Sequence, residues 1–259
     1  MRDLHVHSTY SDGSFLTRMV HAAQEAGLEG VGIADHCNVS AREDPQTFRA
    51  TYGFNLDVTY ERRRLGIETV REKADITIYD AVEMDYDPRD EAEIRAFLDE
   101  ADFDYVIGSV HTVGEYNVQA APQFADLSDA ELDAVVDDYF DALVALADSE
   151  LFDIAAHPDL IERTEPLRGR ATVEHYERAT RAFAESRTVP EINAGRALGD
   201  PGFVHPDPEF LAALQEYDVA VTVGTDSHRP DEIGERAAFL DRFLDDHGIE
   251  PVEPSKLVD

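Results

Sequence analysis

Basic residues, cysteine and long apolar runs are all scarce in this sequence. Its 259 residues include 22 lysines and arginines against 56 aspartates and glutamates, and the formal net charge is −34. Nucleic acids and anionic membrane surfaces repel a chain this acidic, so neither is expected as a partner. The single cysteine, Cys37, excludes an internal disulfide and fits a reducing compartment.

The sequence contains no run of apolar residues long enough for a transmembrane helix, which needs about 18 of them without charge. The first residues have the pattern of a strand and lack the apolar core of a secretion signal. We therefore expect a soluble, cytoplasmic protein. The sequence does not indicate its oligomeric state.

The acidic residues are spread through a chain with the composition of a globular protein. Hydrophobic residues make up 43% of it and recur with regular periods, which argues against a disordered acidic segment. At about 1 M salt the Debye length shrinks to about 3 Å, so repulsion between carboxylates is screened. The composition therefore predicts a halophilic protein, adapted to a salt-rich cytoplasm.

Seven apolar runs of strand length alternate with helical patterns. The predicted strands span residues 2–7, 30–34, 76–84, 105–110, 152–156, 189–193 and 219–224. Helical patterns cover 16–26, 90–100, 173–185, 208–216 and 236–246, and a further helix begins at Ser128 with the capping-box spacing to Glu131. A charged insertion at about 40–74 ends in a helix over 60–73. This order predicts an α/β protein with a parallel sheet, in one domain spanning 1–259.

An open, doubly wound sheet and a closed barrel both fit this order of elements. Residues of metal-ligand type stand at the end of every predicted strand, and only closure brings all those ends to one face. The closed form is therefore favoured, as a distorted (β/α)7 TIM-like barrel with one strand fewer than usual.

Histidines and carboxylates of metal-ligand type follow the predicted strands. His5 and His7 alternate within the first strand, so their side chains share one face. The other candidates along the chain are Asp12, His36, Glu83, His111, His157, Asp226 and His228. With one or two metal ions, some of these nine residues would ligate no metal, whereas three ions that share one carboxylate would use all nine as ligands. Imidazole and carboxylate groups suit zinc, manganese and iron, so we predict three divalent ions of unassigned identity.

The motifs that contain these residues resemble those of the PHP family, named for polymerase and histidinol phosphatase. The matching segments are His-Val-His-Ser-Thr-Tyr-Ser-Asp-Gly (5–13), Ala-Asp-His (34–36), Ala-Val-Glu-Met-Asp-Tyr (81–86), Gly-Ser-Val-His (108–111), Ala-His-Pro-Asp-Leu-Ile (156–161), Glu-Ile-Asn (191–193) and Gly-Thr-Asp-Ser-His (224–228). The resemblance covers essentially the whole chain. It implies a first metal held by His5, His7, Glu83 and Asp226, a second held by Glu83, His111 and His157, and a third held by Asp12, His36 and His228.

The resemblance also implies a reaction, the hydrolysis of a small phosphomonoester and above all of L-histidinol phosphate in histidine biosynthesis. Such metal clusters activate water near neutral pH and neutralise phosphate charge, which gives Glu83 and Asp226 catalytic importance. Histidinol phosphatases of this family usually also grip the phosphate with basic residues. Arg196 and Arg229 follow strand ends where a phosphate would lie, although either could instead pair with a surface carboxylate.

Other functions fit parts of this pattern. A related phosphoesterase acting on nucleotides or sugar phosphates is the first alternative, and a non-catalytic metal-binding or regulatory protein ranks below it. A polymerase-associated exonuclease is disfavoured because the chain is a single acidic domain. Amidohydrolases share the first-strand His-x-His, but many two-metal members need a carboxylated lysine at a later strand end. The two lysines, Lys73 and Lys256, are not at such positions.

Two polar residues near the motifs, Asp35 and Glu191, each allow two interpretations. Asp35 either hydrogen-bonds a ligand histidine or ends a strand, and Glu191 either contacts a substrate amine or supports the barrel rim beside Asn193. Cys37 is interpreted as a small buried residue. The remaining histidines are predicted to be structural or solvent-facing, and they are His21, His175, His205 and His247.

Overall fold

Eight helices surround a curled sheet in the computed structural model, which describes residues 1–253. The strands are β1 (Arg2–Val6), β2 (Gly30–Cys37), β3 (Thr77–Asp85), β4 (Tyr105–Ser109), β5 (Thr112–Val113), β6 (Tyr116–Asn117), β7 (Ile154–Ala155), β8 (Val189–Arg196), β9 (Phe203–His205) and β10 (Thr222–Gly224). The helices are α1 (Leu16–Glu25), α2 (Glu43–Tyr52), α3 (Leu56–Arg71), α4 (Glu91–Ala101), α5 (Asp129–Asp148), α6 (Val173–Glu185), α7 (Pro208–Glu216) and α8 (Pro230–His247). Short 3₁₀ turns cover Pro88–Asp90, Ala121–Phe124 and Leu160–Arg163.

Seven parallel strands form the barrel in the order β1-β2-β3-β4-β7-β8-β10, and β9 pairs antiparallel with β8. The ring closes where the segment after β10 meets β1. The Asp226 amide donates to the His5 carbonyl at 2.8 Å, and the His7 amide donates to the Ser227 carbonyl at 2.9 Å. The predicted distorted (β/α)7 barrel is confirmed.

A buried carboxylate reinforces this closure. Asp3 of β1 accepts hydrogen bonds from the amide and the hydroxyl of Thr225, at 2.9 and 2.5 Å. The β10 strand has only three residues, so the side-chain hydrogen bonds of Asp3 replace some of the backbone hydrogen bonds that a longer strand would form with β1. The seam between the first and last strands is where two of the candidate ligand motifs meet.

The inside of the barrel is packed around one completely buried aromatic ring, that of Tyr105. Tyr105 lies fully buried among alanines and aliphatic side chains, and its hydroxyl donates to the Leu4 carbonyl. Gly32 makes room for that hydroxyl, since a Cβ at this position would lie 1.6 Å from it. The barrel is therefore a packed core, and its functional space lies beyond the strand ends.

The predicted insertion contains two helices, where the sequence indicated only the second. No side chain of α2 is buried, whereas α3 buries Arg63 completely. The guanidinium of Arg63 lies 3.0 Å from Asp35 of β2 and 2.7 Å from Asp80 of β3. Both carboxylates are buried too, so this triad fixes α3 on the barrel. That residues 1–259 form one domain with an insertion at about 40–74 stays a prediction.

The helix α5 shows how the acidic surface is arranged. It begins with the predicted capping box, in which the Ser128 amide donates to Glu131 at 2.8 Å. Its outer face carries four aspartates that are each more than half exposed, namely Asp129, Asp133, Asp137 and Asp141. Across residues 1–253, none of the helices has the length and apolar character to cross a membrane.

We expect the free energy of unfolding to rise between about 0.1 M and about 2 M KCl. The carboxylates of such a surface repel one another more in the compact state than in the unfolded chain, and molar salt screens that repulsion. Thermal unfolding followed by circular dichroism at both salt concentrations measures the change. Equal stability at the two concentrations would make the halophilic interpretation wrong.

Candidate metal centre

The nine candidate ligands meet at the carboxyl end of the barrel strands. Their side chains come from β1 and the loop after it (His5, His7 and Asp12), from β2 (His36), from β3 (Glu83), from the ends of β4 and β7 (His111 and His157), and from the loop after β10 (Asp226 and His228). This is the face on which parallel barrels carry their active sites.

Glu83 lies at the centre of the cluster and is completely buried. Its Oε1 is 3.1 Å from Nε2 of His157 and 3.5 Å from Nε2 of His111. Its Oε2 is 2.7 Å from Nδ1 of His36. One carboxylate thus faces two different groups of imidazoles, an arrangement that a bridging ligand requires.

The two histidines of the first strand face the Oε2 side of Glu83. Their Nε2 atoms lie 3.4 Å (His5) and 3.6 Å (His7) from that oxygen and 3.1 Å from each other. Asp226 Oδ1 completes the group at 3.4 Å from His7 Nε2. Behind them, Glu191 Oε1 lies 2.8 Å from Nδ1 of His5 and so fixes the orientation of that ring.

A third group lies at the outer edge of the cluster. Asp12 Oδ1 is 3.3 Å from Nε2 of His228 and 3.8 Å from Nε2 of His36. The ring of His7 stacks on that of His228, with centroids 4.0 Å apart. Asp12 is the most exposed member of the group, with 42% of its side chain accessible, so this part of the cluster borders solvent.

The charges of the cluster shift the pKa values of its members in both directions. Burial raises the pKa of Glu83, but His36, His5 and His111 outweigh it and hold that pKa well below its usual range. Burial lowers the pKa of His36, yet the charges of Glu83 and Asp12 raise it to about 10. Burial and the neighbouring imidazoles lower the pKa of His7 to about 4. Carboxylates therefore stay ionised here, and part of the imidazoles stay neutral, as metal ligands must.

The hydrogen bonding inside the cluster fits divalent metals. Among residues 1–253, Glu83 Oε2 is buried against three ring nitrogens without a well-aligned hydrogen bond, and His157 Nδ1 is buried without a hydrogen-bond partner. Buried polar atoms without partners are costly, and a cation between Glu83 Oε2 and the ring nitrogens around it would satisfy that oxygen. Donor atoms converge within 4.8 Å of one another in three overlapping groups, which are His5-His7-Glu83, His36-Glu83-His111 and His7-Asp12-His36-His228.

An arginine that the sequence did not indicate lies beside this cluster. Arg163 ends the 3₁₀ turn after β7, and 13% of its side chain is exposed. Its Nη2 lies 3.1 Å from Asn193 Oδ1 and 3.4 Å from Asp226 Oδ2. Its Nε donates to His205 Nε2 at 2.7 Å. Within residues 1–253 its Nη1 makes no hydrogen bond, so that end of the guanidinium is free for an anion.

The two arginines predicted from the sequence occupy different surroundings. Arg229 is 69% exposed at the start of α8 and pairs with Glu232 at 3.0 Å. Arg196 ends β8 and is exposed, and its side chain forms no ion pair in the part of the chain that the structure describes. The environment of Arg229 is that of a surface ion pair, whereas Arg163 keeps Nη1 available and Arg196 keeps its whole guanidinium available among the described residues.

A cavity of about 700 Å³ opens on the other side of the cluster, next to His36 and His111. Three aromatic residues of the insertion, Phe48, Tyr52 and Phe54, line it, and Phe54 stacks on His36 with centroids 5.1 Å apart. Seven carboxylates line it against only two arginines; the carboxylates belong to Asp12, Glu43, Asp44, Asp85, Asp87, Asp90 and Glu115. The cavity is therefore suited to a cationic or aromatic group.

The structure distinguishes the interpretations left open for Asp35 and Glu191. Asp35 contacts no ligand histidine; its carboxylate accepts from the amide of Ser8 at 2.6 Å and pairs with Arg63. It therefore supports the backbone next to His7. The buried carboxylate of Glu191 accepts from the amides of His157 and Asn193, so it is a support within the barrel rim.

The remaining histidines and the cysteine lie outside the cluster. Cys37 is buried, as predicted. His21, His175 and His247 lie on helices at the periphery, also as predicted. His205 is completely buried beside the cluster, with its ring centroid 6.4 Å from that of His157. Lys73 lies exposed at the amino end of β3, and Lys256 falls outside the described residues.

Comparisons with known proteins agree with this geometry. A family model described as the PHP domain matches residues 3–195. The chain is 29% identical over 235 residues to a histidinol-phosphatase of Lactococcus lactis, covering 87% of this chain and 83% of that protein. It is 26% identical over 231 residues to a protein of Deinococcus radiodurans described as a probable histidinol-phosphatase, covering 88% and 85% of the two chains.

A solved structure shares the fold over nearly the full length. The histidinol phosphate phosphatase of Lactococcus lactis, complexed with zinc, L-histidinol and phosphate, superposes with a TM-score of 0.70 at 23% identity. The alignment covers 98% of this chain and 95% of that one. At this identity the likeness establishes the fold.

Proposed function

Because the chain belongs to the PHP family, we propose that it is a metal-dependent phosphoric monoester hydrolase whose substrate is L-histidinol phosphate. Two relatives align over more than four-fifths of their length, one named a histidinol-phosphatase and the other a probable histidinol-phosphatase. The related solved structure carries zinc, L-histidinol and phosphate. We further propose a place in histidine biosynthesis in the cytoplasm.

The observation that carries the substrate proposal is the division of charge across the metal centre. Arg163 lies 3.4 Å from Asp226, and Arg196 directly follows Gly195, where a Cβ would lie 2.5 Å from Asp226 Oδ2, so both arginines belong to the side on which they would attract a phosphate. The cavity on the His111 side is rich in carboxylates and aromatic rings. Histidinol phosphate has the matching polarity, since an anionic phosphate is joined to an amine and an imidazole. A nucleotide, whose anionic phosphate is joined to an uncharged nucleoside, fits the acidic cavity less well.

We propose three divalent ions in this centre. The nine residues that would hold them are His5, His7, Asp12, His36, Glu83, His111, His157, Asp226 and His228. Metals bound there would supply a hydroxide nucleophile near neutral pH and would neutralise phosphate oxygens. The donor set of imidazoles and carboxylates fits zinc, manganese and iron alike.

The chain's own residues prepare the site for this chemistry. Glu191 and Asp85 hold Nδ1 of His5 and His111, at 2.8 and 2.6 Å, so Nε2 of each ring faces Glu83. Arg163 lies beside Asp226, with Nη2 3.4 Å from Asp226 Oδ2, and its Nη1, which makes no hydrogen bond among residues 1–253, can neutralise part of the charge of the phosphate.

Turnover of a panel of phosphomonoesters by the metal-loaded protein tests the proposal. We expect kcat/KM for L-histidinol phosphate to exceed that for nucleoside monophosphates and sugar phosphates. A preference for either of those classes would instead support the related phosphoesterase. Metal binding without hydrolysis of any ester would support a non-catalytic protein.

Substitution of single arginines separates the candidates for phosphate binding. We expect Arg163→Ala to raise KM and the inhibition constant of inorganic phosphate by about 10- to 100-fold, because a charge-assisted contact of about 1.5–3 kcal/mol is lost. Arg196→Ala should raise both less, since that side chain is exposed.

Arg229→Ala serves as the matched control, because Arg229 lies in a surface ion pair. Normal phosphate inhibition in Arg163→Ala together with weakened inhibition in Arg229→Ala would return the role to Arg229, one of the two arginines predicted from the sequence.

A further inference from the structure

A buried hydrogen-bonded chain lies behind Arg163, and the reaction described above does not use it. Asp159 and His205 are both completely buried, and Oδ1 of Asp159 lies 2.6 Å from Nδ1 of His205. On its other edge, His205 Nε2 accepts from Nε of Arg163 at 2.7 Å. This series of hydrogen bonds thus runs from Asp159, at the 3₁₀ turn after β7, through His205 of β9 and back to the Arg163 guanidinium at the metal centre.

The hydrogen bonds of Asp159 and Arg163 to His205 select one tautomer of the His205 ring. The Nε–H of Arg163 can only donate, so His205 Nε2 must be an acceptor without a proton. The ring proton is then on Nδ1, where the Asp159 carboxylate accepts it. Burial lowers the pKa of His205, in agreement with a neutral ring. The second oxygen of Asp159 accepts from the Asp207 amide at 2.5 Å, so the carboxylate itself is held in place.

The same contacts fix the direction of the guanidinium. His205 holds its Nε edge, and Asn193 holds Nη2 at 3.1 Å. Two of its three nitrogens are thereby occupied on the protein side. Nη1 makes no hydrogen bond among residues 1–253 and stays available to an anion, on the same guanidinium whose Nη2 lies 3.4 Å from Asp226 Oδ2. An arginine held in this way loses little conformational entropy when it binds a phosphate.

We propose that Asp159 and His205 are positioning residues that hold Arg163 in the orientation that binds the substrate phosphate. The inference rests on the proposed phosphatase function. A purely structural role, in which the pair only joins β9 to the turn after β7, is the alternative, and it predicts a loss of stability without a specific loss of phosphate binding.

A double-mutant cycle with Arg163 separates these roles. We expect His205→Leu to raise KM and the phosphate inhibition constant by about 10-fold, with a smaller change in kcat. In the Arg163→Ala background the same substitution should change either constant by less than about 2-fold, because its effect acts through Arg163. Multiplicative effects of the two substitutions would overturn the proposal.

Conservative variants refine the test. His205→Gln places an amide oxygen near the position of Nε2 and should restore much of the phosphate binding lost in His205→Leu. Asp159→Asn should behave like His205→Leu, because an amide that donates to Nδ1 forces the ring proton onto Nε2, toward the Arg163 donor. The matched control is His175→Leu, which breaks a histidine–aspartate pair on the outer surface and should leave both constants unchanged.

The tautomer can be measured in the wild-type protein without any turnover. Nitrogen-15 chemical shifts of the His205 ring should show a protonated Nδ1 and an unprotonated Nε2. A proton on Nε2 would overturn the proposal even in an active enzyme. Failure of the proposed function would look different, since the wild-type protein itself would then hydrolyse no phosphomonoester while the tautomer stayed as expected.

Discussion

Glu83→Gln protein is expected to lose at least about 100-fold in kcat while keeping its fold. Substitution of residues that only support metal ligands typically costs 10- to 100-fold in activity, and Glu83 lies among the proposed ligands themselves. Its two oxygens face separate groups of imidazoles, at 3.1 Å from His157 and 2.7 Å from His36. Glutamine keeps the size of the side chain, but its uncharged amide no longer attracts cations on both sides.

Elemental analysis and circular dichroism should accompany the kinetics of this variant. Asp153→Asn is a suitable control, because Asp153 is a buried carboxylate at the opposite end of the barrel, where it accepts from the Val106 amide at 2.9 Å. That substitution should lower stability without a comparable loss of turnover. Near-normal kcat in Glu83→Gln with normal metal content would mean that the bridging role is wrongly assigned.

Removal of the metals should abolish phosphatase activity, and the active protein should contain three divalent ions per chain. The prediction rests on nine donor residues at one barrel face, more than one or two ions would use. Elemental analysis of the active protein and a chelator titration with re-addition of zinc or manganese measure it. One ion or none per chain in fully active protein would contradict it.

Metal affinity should fall as the pH is lowered. The pKa of His36 is raised to about 10 among these side chains, so near neutral pH this ring holds a proton that a metal ion must displace. Binding should therefore release protons and become tighter with rising pH. Calorimetric titrations in buffers of different ionisation enthalpy count the released protons, and a pH-independent affinity without proton release would contradict the assignment of His36 as a ligand.

The sequence predicted most of the barrel because buried parallel strands are continuous apolar runs. The helices over Val173–Glu185 and Pro208–Glu216 were predicted with their observed bounds. Two strands were predicted too long, at 152–156 and 219–224. Only Ile154–Ala155 and Thr222–Gly224 form regular strand pairing, and the apolar residues Phe152 and Val221 before them are buried without it. The last helix begins at Pro230, six residues before the predicted start, because Pro230 and Glu232 favour a first turn that apolar periodicity does not reveal.

Other elements left no periodic signal. The helix α2 has no buried side chain, so its sequence has no apolar stripe to detect. Arg163 and His205 are 42 residues apart in the sequence and meet through a side-chain hydrogen bond, which no periodic pattern reveals. A sequence signal was nevertheless present, since Asp159 belongs to the same motif as His157. A carboxylate two residues after a predicted ligand is a candidate hydrogen-bonding partner for groups beside the metal centre.

The buried ion pairs of Arg63 limit how freely substrate preference can be exchanged between relatives. The insertion that lines the cavity with Phe48 and Phe54 also supplies this cation, which pairs with Asp35 beneath the His7 segment. A chimaera with the insertion of a relative would have new cavity walls. If that insertion lacked the arginine, two buried carboxylates would be left without their cation, which would lower the free energy of unfolding by about 3–5 kcal/mol. Recognition and metal support are thus not separate modules in this chain, and a successful graft must carry an arginine at the position of Arg63.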